Sequence, residues 1–87
     1  MTTGEIDGIM KLKGDLMLSE LSAQKFPDIK KYQNKKVIDL QDLTNIDSAG
    51  IAYLVQIKTN SPTICFQGVS DKISILADLY GVSFFFK

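Results

Sequence analysis

The amino-acid sequence predicts a single α/β domain, spanning residues 1–87, with a mixed and mostly parallel sheet of four or five strands. From residue 36 onward, strand-like and helix-like segments alternate and are joined by short loops, which indicates crossover connections between parallel strands. An apolar fraction of 45% is typical of a globular chain, and 87 residues suffice for one hydrophobic core. The chain contains no internal repeat or linker, so we expect one folding unit.

The charge composition excludes several classes of function. Basic and acidic residues balance at ten each, and every basic residue is a Lys. The chain therefore lacks the positive surplus that binding to a nucleic-acid backbone needs, and nucleic acid is not an expected partner. The absence of His excludes imidazole general-base catalysis and His-containing metal sites. No cofactor is expected.

The sequence also predicts where the protein resides. A single cysteine, Cys65, cannot form an internal disulfide, which favours a reducing compartment. We expect its thiol to be buried and inert, because it lies within an apolar strand-like run. The N-terminus lacks a signal-peptide pattern, and the longest uncharged stretches, Ser48–Ile57 and Thr59–Ser70, are too short to span a bilayer. These features predict a cytoplasmic protein without direct membrane insertion.

The first third of the chain predicts a hairpin and a broken helical segment. Alternation over Ile9–Lys13 indicates a half-exposed strand, which pairs with residues 2–6 and ends at Gly14-Asp15. Between residues 16 and 32 the pattern is helical but is interrupted at Pro27, which opens a second short helix as its first residue. The expected core contacts of this segment are Leu21, Phe26, Ile29 and Tyr32.

The middle of the chain predicts a strand, a turn and a helix. Lys36–Leu40 is nearly continuous in apolar residues, which is typical of a central strand covered on both faces. Polar residues then indicate a loop over Gln41–Ile46. Apolar residues recur at helical spacing over Ala49–Lys58, and Pro62 lies just past the expected helix end.

The last third predicts a strand, a helix and a final strand. Thr63–Gln67 is rich in β-forming residues, and Ser70 is a suitable N-cap for the helix that follows. That helix places Ile73, Leu76, Ala77 and Tyr80 on one face, and Gly81 ends it. We expect Val82–Phe86 to form a short strand in which the three Phe rings cannot all point inward.

Ser48 is open to three interpretations. As a nucleophile it would need a base, yet the chain offers only Lys and carboxylates and has no G-x-S-x-G turn around it. In the second interpretation, Asp47 or Ser48 caps the helix that follows. In the third, Ser48 is an exposed docking point or phosphorylation site, because the helix dipole favours a phosphate at this position.

Other chemistry-bearing residues do not form a recognisable site. The spacing of Asp39, Asp42 and Asp47 matches no calcium-binding loop, so no metal site is expected. Gly50 and Gly68 are isolated glycines rather than parts of a phosphate-binding loop. The chain is therefore not expected to be an enzyme.

One face of the helix over 49–58 has the composition of a protein interface. With Ile51, Leu54 and Val55 turned inward, the outer face comprises Ser48, Ala52, Tyr53 and Gln56. Small residues allow a partner to approach closely, and Tyr is enriched at the energetic centres of interfaces. We therefore expect this face to bind another protein.

Two stretches of the sequence resemble STAS domains, the anti-sigma-factor antagonist family. The strand Val37–Leu40 followed by Thr44–Ile51 (TNIDSAGI) is similar to the family motif of a strand, a turn and Asp-Ser/Thr-small-Gly-Leu at a helix start. The segments Phe66–Ile73 and Leu76–Val82 are most similar to the MlaB-like STAS subunits of Mla phospholipid-transport ABC complexes. The resemblance covers about residues 9–83.

The resemblance implies a fold, a class of function and a site. Domains of this SpoIIAA-like fold carry helices mainly on one face of the sheet, are not enzymes, and bind proteins around the hydroxyl residue at the helix start. Carried over by position, that hydroxyl belongs to Ser48. Together with the outer helix face, the expected partner-binding surface comprises Asp47, Ser48, Ala49, Ala52, Tyr53 and Gln56.

The resemblance also implies a partner. MlaB-like subunits bind the MlaF-like cytoplasmic ATPase of an inner-membrane ABC phospholipid transporter, and through it the permease. The chain would then lie at the cytoplasmic side of the inner membrane of a Gram-negative bacterium and support outer-membrane lipid asymmetry. MlaB-like members carry Thr where this chain has Ser48. The alternative implied by the sporulation-type members is a phospho-regulated anti-sigma-factor antagonist with Ser48 as phosphoacceptor.

Overall fold

The described part of the protein is an α/β domain built on a four-stranded mixed sheet. The computed structural model describes residues 3–6 and 8–86, with side chains from residue 8 onward. The sheet order is β1-β2-β3-β4, in which β1 is antiparallel to β2 while β2, β3 and β4 are mutually parallel. The strands are β1 (Thr3–Ile6), β2 (Ile9–Leu16), β3 (Val37–Ile46) and β4 (Cys65–Gln67). The prediction of a mixed, mostly parallel sheet is confirmed, with β3 as a central strand.

The first two strands form the predicted hairpin. Thr3 pairs with Leu12 and Ile6 pairs with Ile9, and Gly8 adopts a φ of +82° in the turn. A positive φ is readily accessible to glycine, which explains the residue type at this position. Of the expected hairpin, residues 2 and 7 lie outside the described part of the chain.

The central strands are longer than predicted. The expected end of β2 at Gly14-Asp15 and the expected loop over Gln41–Ile46 are both wrong, because β2 and β3 remain paired up to Leu16 and Ile46. The pairing includes two register shifts, and Gly14 lies at the second of them with a φ of +85°. Polar residues within β3 are compatible with a strand because their side chains face solvent while the backbone stays hydrogen-bonded.

In the part of the chain that the structure describes, three α-helices and two short 3₁₀-helices accompany the sheet. They are α1 (Leu18–Ser22), a first 3₁₀-helix (Ile29–Tyr32), α2 (Ser48–Asn60), α3 (Asp71–Leu79) and a second 3₁₀-helix (Ser83–Phe86). Helix α2 contacts α1, the first 3₁₀-helix and α3, so the four form one layer. Among the described residues, no helix has the length and apolarity that crossing a bilayer would require.

The core lies between the sheet and this helical layer. Its largest fully buried side chains come from both the sheet and the helical layer and are Leu12, Leu16, Tyr32, Ile38, Leu40, Leu54, Ile57, Ile64 and Ile73. Of the four core contacts expected between residues 16 and 32, Tyr32 and Phe26 are buried, and Leu21 and Ile29 pack against the core while half-buried. The prediction of a broken helical segment is confirmed, but Pro27 is not the first residue of the second helix, because the first 3₁₀-helix begins at Ile29 with Asp28 as its N-cap.

Helix α2 approaches the sheet so closely that only glycine fits at one position. A Cβ atom on Gly50 would lie 2.1 Å from the carbonyl oxygen of Leu16 and 2.7 Å from Cγ1 of Ile46. Such distances are far inside van der Waals contact. Gly50 therefore sets how near the first turn of α2 lies to the carboxyl ends of β2 and β3.

The C-terminal segment does not form the predicted strand. Gly81 adopts a φ of +71°, its N–H donates to the Asp78 carbonyl, and the Val82 N–H donates to the Ala77 carbonyl over 2.8 Å. These two bonds form a Schellman motif that folds the chain back over α3. A strand over Val82–Phe86 is therefore wrong, and the second 3₁₀-helix forms instead.

The expectation of a buried thiol on the edge strand β4 is wrong. Cys65 is exposed rather than buried, whereas its neighbour Ile64 is fully buried. Successive side chains in a strand point to opposite faces, so an apolar run cannot bury every member unless both faces are covered. Helices cover the face that Ile38 and Phe66 share, and Phe86 stacks on Phe66 with ring centroids 5.1 Å apart.

Candidate functional site

The candidate site begins at Asp47, which caps two helices at once. Its Oδ1 accepts a hydrogen bond from the Gly50 N–H over 2.9 Å, which satisfies a backbone donor in the first turn of α2. Its Oδ2 accepts a hydrogen bond from the Leu18 N–H over 3.0 Å, at the start of α1. Of the two caps considered from the sequence, Asp47 is the one that the structure uses. It ties the first turn of α1 to that of α2.

The carboxyl group of Asp47 has a lowered pKa. Partial burial favours the neutral form, but hydrogen bonds from the backbone N–H groups of Leu18, Gly50 and Ala49 outweigh it and hold the pKa of Asp47 below its ordinary value of 3.8. The group is therefore a carboxylate at neutral pH. It places a fixed negative charge at the start of α2.

Ser48 is the first residue of α2, and its side chain is exposed. Because Asp47 provides the cap, the Ser48 hydroxyl is left at the protein surface, as the docking and phosphorylation interpretations require. Both carboxylate oxygens of Asp47 accept backbone hydrogen bonds, so this neighbour is poorly placed to take a proton from Ser48. The geometry therefore supports a surface contact more than nucleophilic chemistry.

A groove runs beside the exposed flank of α2. It has a volume of about 720 Å³ and lies between α2 and the segment that links α1 to the first 3₁₀-helix. From α2 it is lined by Ala49, Ala52, Tyr53 and Gln56. A second hollow of about 440 Å³ continues past Gln56 along the same helix. Four of the six residues predicted to bind a partner thus meet in one concave surface, which we call the docking groove.

Tyr53 does not lie on the outer face of α2 as predicted. It is 9% exposed, its hydroxyl donates to the Pro27 carbonyl oxygen, and the Tyr32 hydroxyl lies 2.7 Å away. Burial is the main reason why the pKa of Tyr53 rises to about 12, and it also raises the pKa of Tyr32. The position of residue 53 on the helix faces the Pro27 segment, so Tyr53 forms the floor of the docking groove.

The opposite wall of the docking groove was not predicted as part of the site. It is formed by Leu21, Gln24, Phe26, Pro27, Asp28 and Ile29. The Phe26 ring packs against Tyr53 with centroids 6.1 Å apart, and the Asp28 carboxylate accepts the Lys30 N–H over 3.0 Å. The break at Pro27 was the available signal, because a kinked segment between two helices leaves a surface that neither helix fills.

The aspartates considered as a metal cluster serve separate structural roles. Asp39 accepts a hydrogen bond from the Gln41 N–H over 2.9 Å, and Asp42 pairs with Lys11 over 3.2 Å. Asp47 caps the two helices. Within residues 8–86, the structure brings together no group of three or more acidic or thiol side chains able to hold a metal ion.

The start of α3 lies at the same edge of the sheet. The Ser70 hydroxyl accepts the Ile73 N–H over 3.3 Å, which confirms the predicted cap. The Lys72 ammonium donates to the Asn45 side-chain oxygen over 3.4 Å, and the Asn45 amide donates to Asp15 over 2.9 Å. This chain of polar contacts fixes α3 beside the carboxyl ends of β2 and β3.

Comparison with known proteins does not assign the chain to a family. No protein-family model matches the sequence. A search of curated proteins returned no matching relative. The function must therefore be inferred from the exposed Ser48, the Asp47 cap and the docking groove.

Proposed function

We propose that the protein is a non-enzymatic docking subunit of the STAS type, which binds the ATPase of an ABC phospholipid transporter. The observation that carries the proposal is the docking groove, which brings Ala49, Ala52 and Gln56 together beside the exposed Ser48. The sequence motifs at Thr44–Ile51 and Phe66–Ile73 support the type of partner, since they resemble those of MlaB-like subunits.

The lining of the docking groove is suited to a protein ligand. Ala49 and Ala52 lie one turn apart on α2 and let a partner approach the helix closely. Gln24, Asp28 and Gln56 supply hydrogen-bonding groups, and the other lining side chains are aliphatic or aromatic. A mixture of apolar contact area and hydrogen-bonding groups is usual in a protein interface.

The rigidity of the docking groove favours the same function. The Tyr53 hydroxyl bonds to Pro27 on one wall and to Tyr32 behind it, so the two walls are joined through the floor. Asp47 holds α1 and α2 at one end. A preformed surface loses little conformational entropy on binding, which increases the affinity for a partner.

In this proposal the protein lies in the cytoplasm, peripheral to the inner membrane through its partner. It would stabilise the assembled ATPase and permease and so support outer-membrane lipid asymmetry. The helix-start hydroxyl of Ser48 would lie inside the contact, where a partner N–H or carbonyl can bond to it.

Co-purification with the ATPase subunit tests the proposal. Ala52→Glu introduces a charge into the docking groove, and Ser48→Glu introduces one beside it. Each should weaken binding by a factor of about ten or more, because an unpaired charge would be buried in the contact. The control is Thr63→Glu, an exposed position in the loop that follows α2. Unchanged binding by both Ala52→Glu and Ser48→Glu would contradict the proposed surface.

A second candidate is a phospho-regulated anti-sigma-factor antagonist. The exposed hydroxyl of Ser48 in the first turn of α2 favours it, since a kinase can reach the residue and the helix dipole stabilises a phosphate. The Asp47 carboxylate argues against phosphorylation of Ser48. This carboxylate already accepts a hydrogen bond from the Gly50 N–H, and its negative charge would repel a phosphate. Intact-mass measurement on protein from its native cells distinguishes the two. A stoichiometric mass gain of one phosphate on Ser48 would favour the antagonist.

A further inference from the structure

Gln24 has a backbone conformation that is usual only for glycine. Its φ is +59°, and the other residues of positive φ in the described part of the chain are all glycines, namely Gly8, Gly14, Gly68 and Gly81. At a positive φ the Cβ atom of any other residue crowds the neighbouring backbone, which raises the free energy of the folded state. The backbone at Gln24 is therefore strained.

Two helices of the protein end in the same motif, but with different residues at its central position. After α1, the Gln24 N–H donates to the Leu21 carbonyl over 3.0 Å. The next N–H, of Lys25, donates to the Glu20 carbonyl over 3.1 Å. The same spacing follows α3, where the residue of positive φ is Gly81. Both are Schellman motifs, in which glycine is the preferred residue at this position, so glycine in place of Gln24 would stabilise the end of α1.

The side chain of Gln24 lines the docking groove. It is exposed on the wall opposite α2, and Asp28 lines the same wall. Within residues 8–86 its side-chain amide makes no hydrogen bond to another residue, so the domain itself does not use the amide. A glutamine amide carries donor N–H groups and an acceptor C=O side by side. The residue that strains the end of α1 thus presents a hydrogen-bonding pair to whatever enters the docking groove.

We propose that Gln24 is a specificity-determining residue of the docking groove, whose side chain binds an amide group of the partner. The partner's group is a peptide bond or the side chain of Asn or Gln, because each presents a C=O and an N–H that match those of Gln24. Glycine would relieve the strain but has no side chain to place on the groove wall, which accounts for Gln24 at this position. This inference rests on the proposed function, since it takes the docking groove as the binding surface.

The amide of Gln24 would distinguish one partner from another. The aliphatic and aromatic lining, which includes Leu21, Phe26 and Ile29, accepts any apolar side chain of suitable size. A partner that covers the docking groove removes water from the Gln24 amide. A partner without a matching group leaves the N–H and C=O of this amide unpaired, and an unpaired polar group in a contact weakens binding.

Two variants separate the amide of Gln24 from the strain. Gln24→Gly removes both, so the melting temperature should rise by about 3 to 6 °C while the affinity for the ATPase falls about threefold to tenfold. Gln24→Met keeps an unbranched side chain of similar length and keeps the strain, but has no amide. Its melting temperature should stay within about 2 °C of the wild type, and its affinity should fall by the same factor as that of Gln24→Gly.

Gln33 offers a matched control. It is exposed, has a φ of −59°, and does not line the docking groove. Gln33→Gly should therefore lower the melting temperature and leave ATPase binding unchanged, because glycine relieves no strain there and only adds freedom to the unfolded chain. Thermal unfolding followed by circular dichroism and isothermal titration calorimetry with the purified ATPase subunit provide the two measurements.

Two results would overturn the role of Gln24. One is a Gln24→Gly variant that melts no higher than the wild type, which would show that the residue is not strained. The other is wild-type ATPase binding by Gln24→Met while Ala52→Glu binds weakly, which would show that the docking groove works without the amide and that the proposed function stands. If Ala52→Glu also binds as the wild type does, the proposed function is wrong and the role of Gln24 fails with it.

Discussion

The hydroxyls of Tyr32 and Tyr53 lie 2.7 Å apart in the interior of the protein, and their proton order is determined by a third group. Tyr53 donates its proton to the Pro27 carbonyl, so the Tyr32 hydroxyl must donate to Tyr53. The rings meet edge to face, with centroids 6.0 Å apart. This pair connects α2 to the first 3₁₀-helix and to the Pro27 segment, and therefore holds the docking groove in shape.

Replacing Tyr53 should cost more stability than replacing Tyr32. Tyr53→Phe removes both hydrogen bonds and leaves the Pro27 carbonyl and the Tyr32 hydroxyl without partners, so we expect a loss of about 2 kcal/mol. Tyr32→Phe removes one bond and leaves the Pro27 contact intact, with an expected loss of about 1 kcal/mol. Urea unfolding of both variants measures the difference. Equal losses would contradict the proton order.

Substitutions at Asp47 should distinguish how much stability its hydrogen bonds to α1 and to α2 contribute. Asp47→Ala leaves the Gly50 and Leu18 N–H groups unsatisfied and should cost about 2 kcal/mol. Asp47→Asn keeps one acceptor oxygen, so it can cap only one helix and should cost about 1 kcal/mol. The free energy of unfolding of each variant tests this order. If Asp47→Asn lowered the stability as much as Asp47→Ala, the hydrogen bond that the carboxamide retains would contribute nothing.

The lowered pKa of Asp47 predicts a pH dependence of stability. A carboxyl whose folded pKa is below its unfolded value stabilises the protein when ionised, so the contribution is complete well above the unfolded pKa of 3.8 and is lost as the pH falls through the folded pKa. The stability difference between wild type and Asp47→Asn should therefore shrink on acidification. Unfolding measured from about pH 7 to about pH 3 follows it. A difference that stays constant over that range would contradict the prediction.

Two glycines should respond differently to alanine. A Cβ on Gly50 would clash with the backbone of Leu16, so Gly50→Ala should cost more than about 3 kcal/mol or displace α2. Gly14 has open space around the Cβ position. Gly14→Ala should therefore lower the stability only through the strain of a positive φ, by about 1 kcal/mol. Thermal unfolding of the two variants compares them. Similar costs would show that α2 can move away from the sheet.

The exposed thiol of Cys65 should react in the native protein. We expect one equivalent of an aromatic disulfide reagent to react under native conditions at a rate close to that of the unfolded chain, because Cys65 lies on the edge strand β4 and is exposed. Cys65→Ser should change stability by less than about 0.5 kcal/mol. Thiol titration with and without denaturant provides the measurement. Slow native labelling would indicate a covered β4.

Helices α2 and α3 were predicted well because their signals are local. Asp47 and Ser70 are capping residue types followed by residues at helical spacing, and a Pro or Gly lies just past each helix end. Caps and stops depend on hydrogen bonds to residues three or four positions away. A short stretch of sequence therefore contains both partners of each hydrogen bond.

The strand ends were predicted poorly because their partners are distant in sequence. Residues 41–46 of β3 are polar and resemble a loop, but their backbone pairs with β2 about 30 residues earlier. The segment Val82–Phe86 has strand-forming residues, yet the Schellman motif after α3 and the stacking of Phe86 on Phe66 direct it into a 3₁₀-helix. Tertiary contacts override β propensity in both places.

In the candidate site, too, the local features could be predicted from the sequence and the long-range contacts could not. The sequence by itself determined that α2 begins at Asp47-Ser48 with a hydroxyl at its start, because capping is a local preference. Only the tertiary structure decided that Tyr53 is buried and that the Pro27 segment forms the second wall of the docking groove. Helical periodicity gives the angular positions of the side chains around one helix. Which of those side chains are buried depends on the segment that packs against the helix.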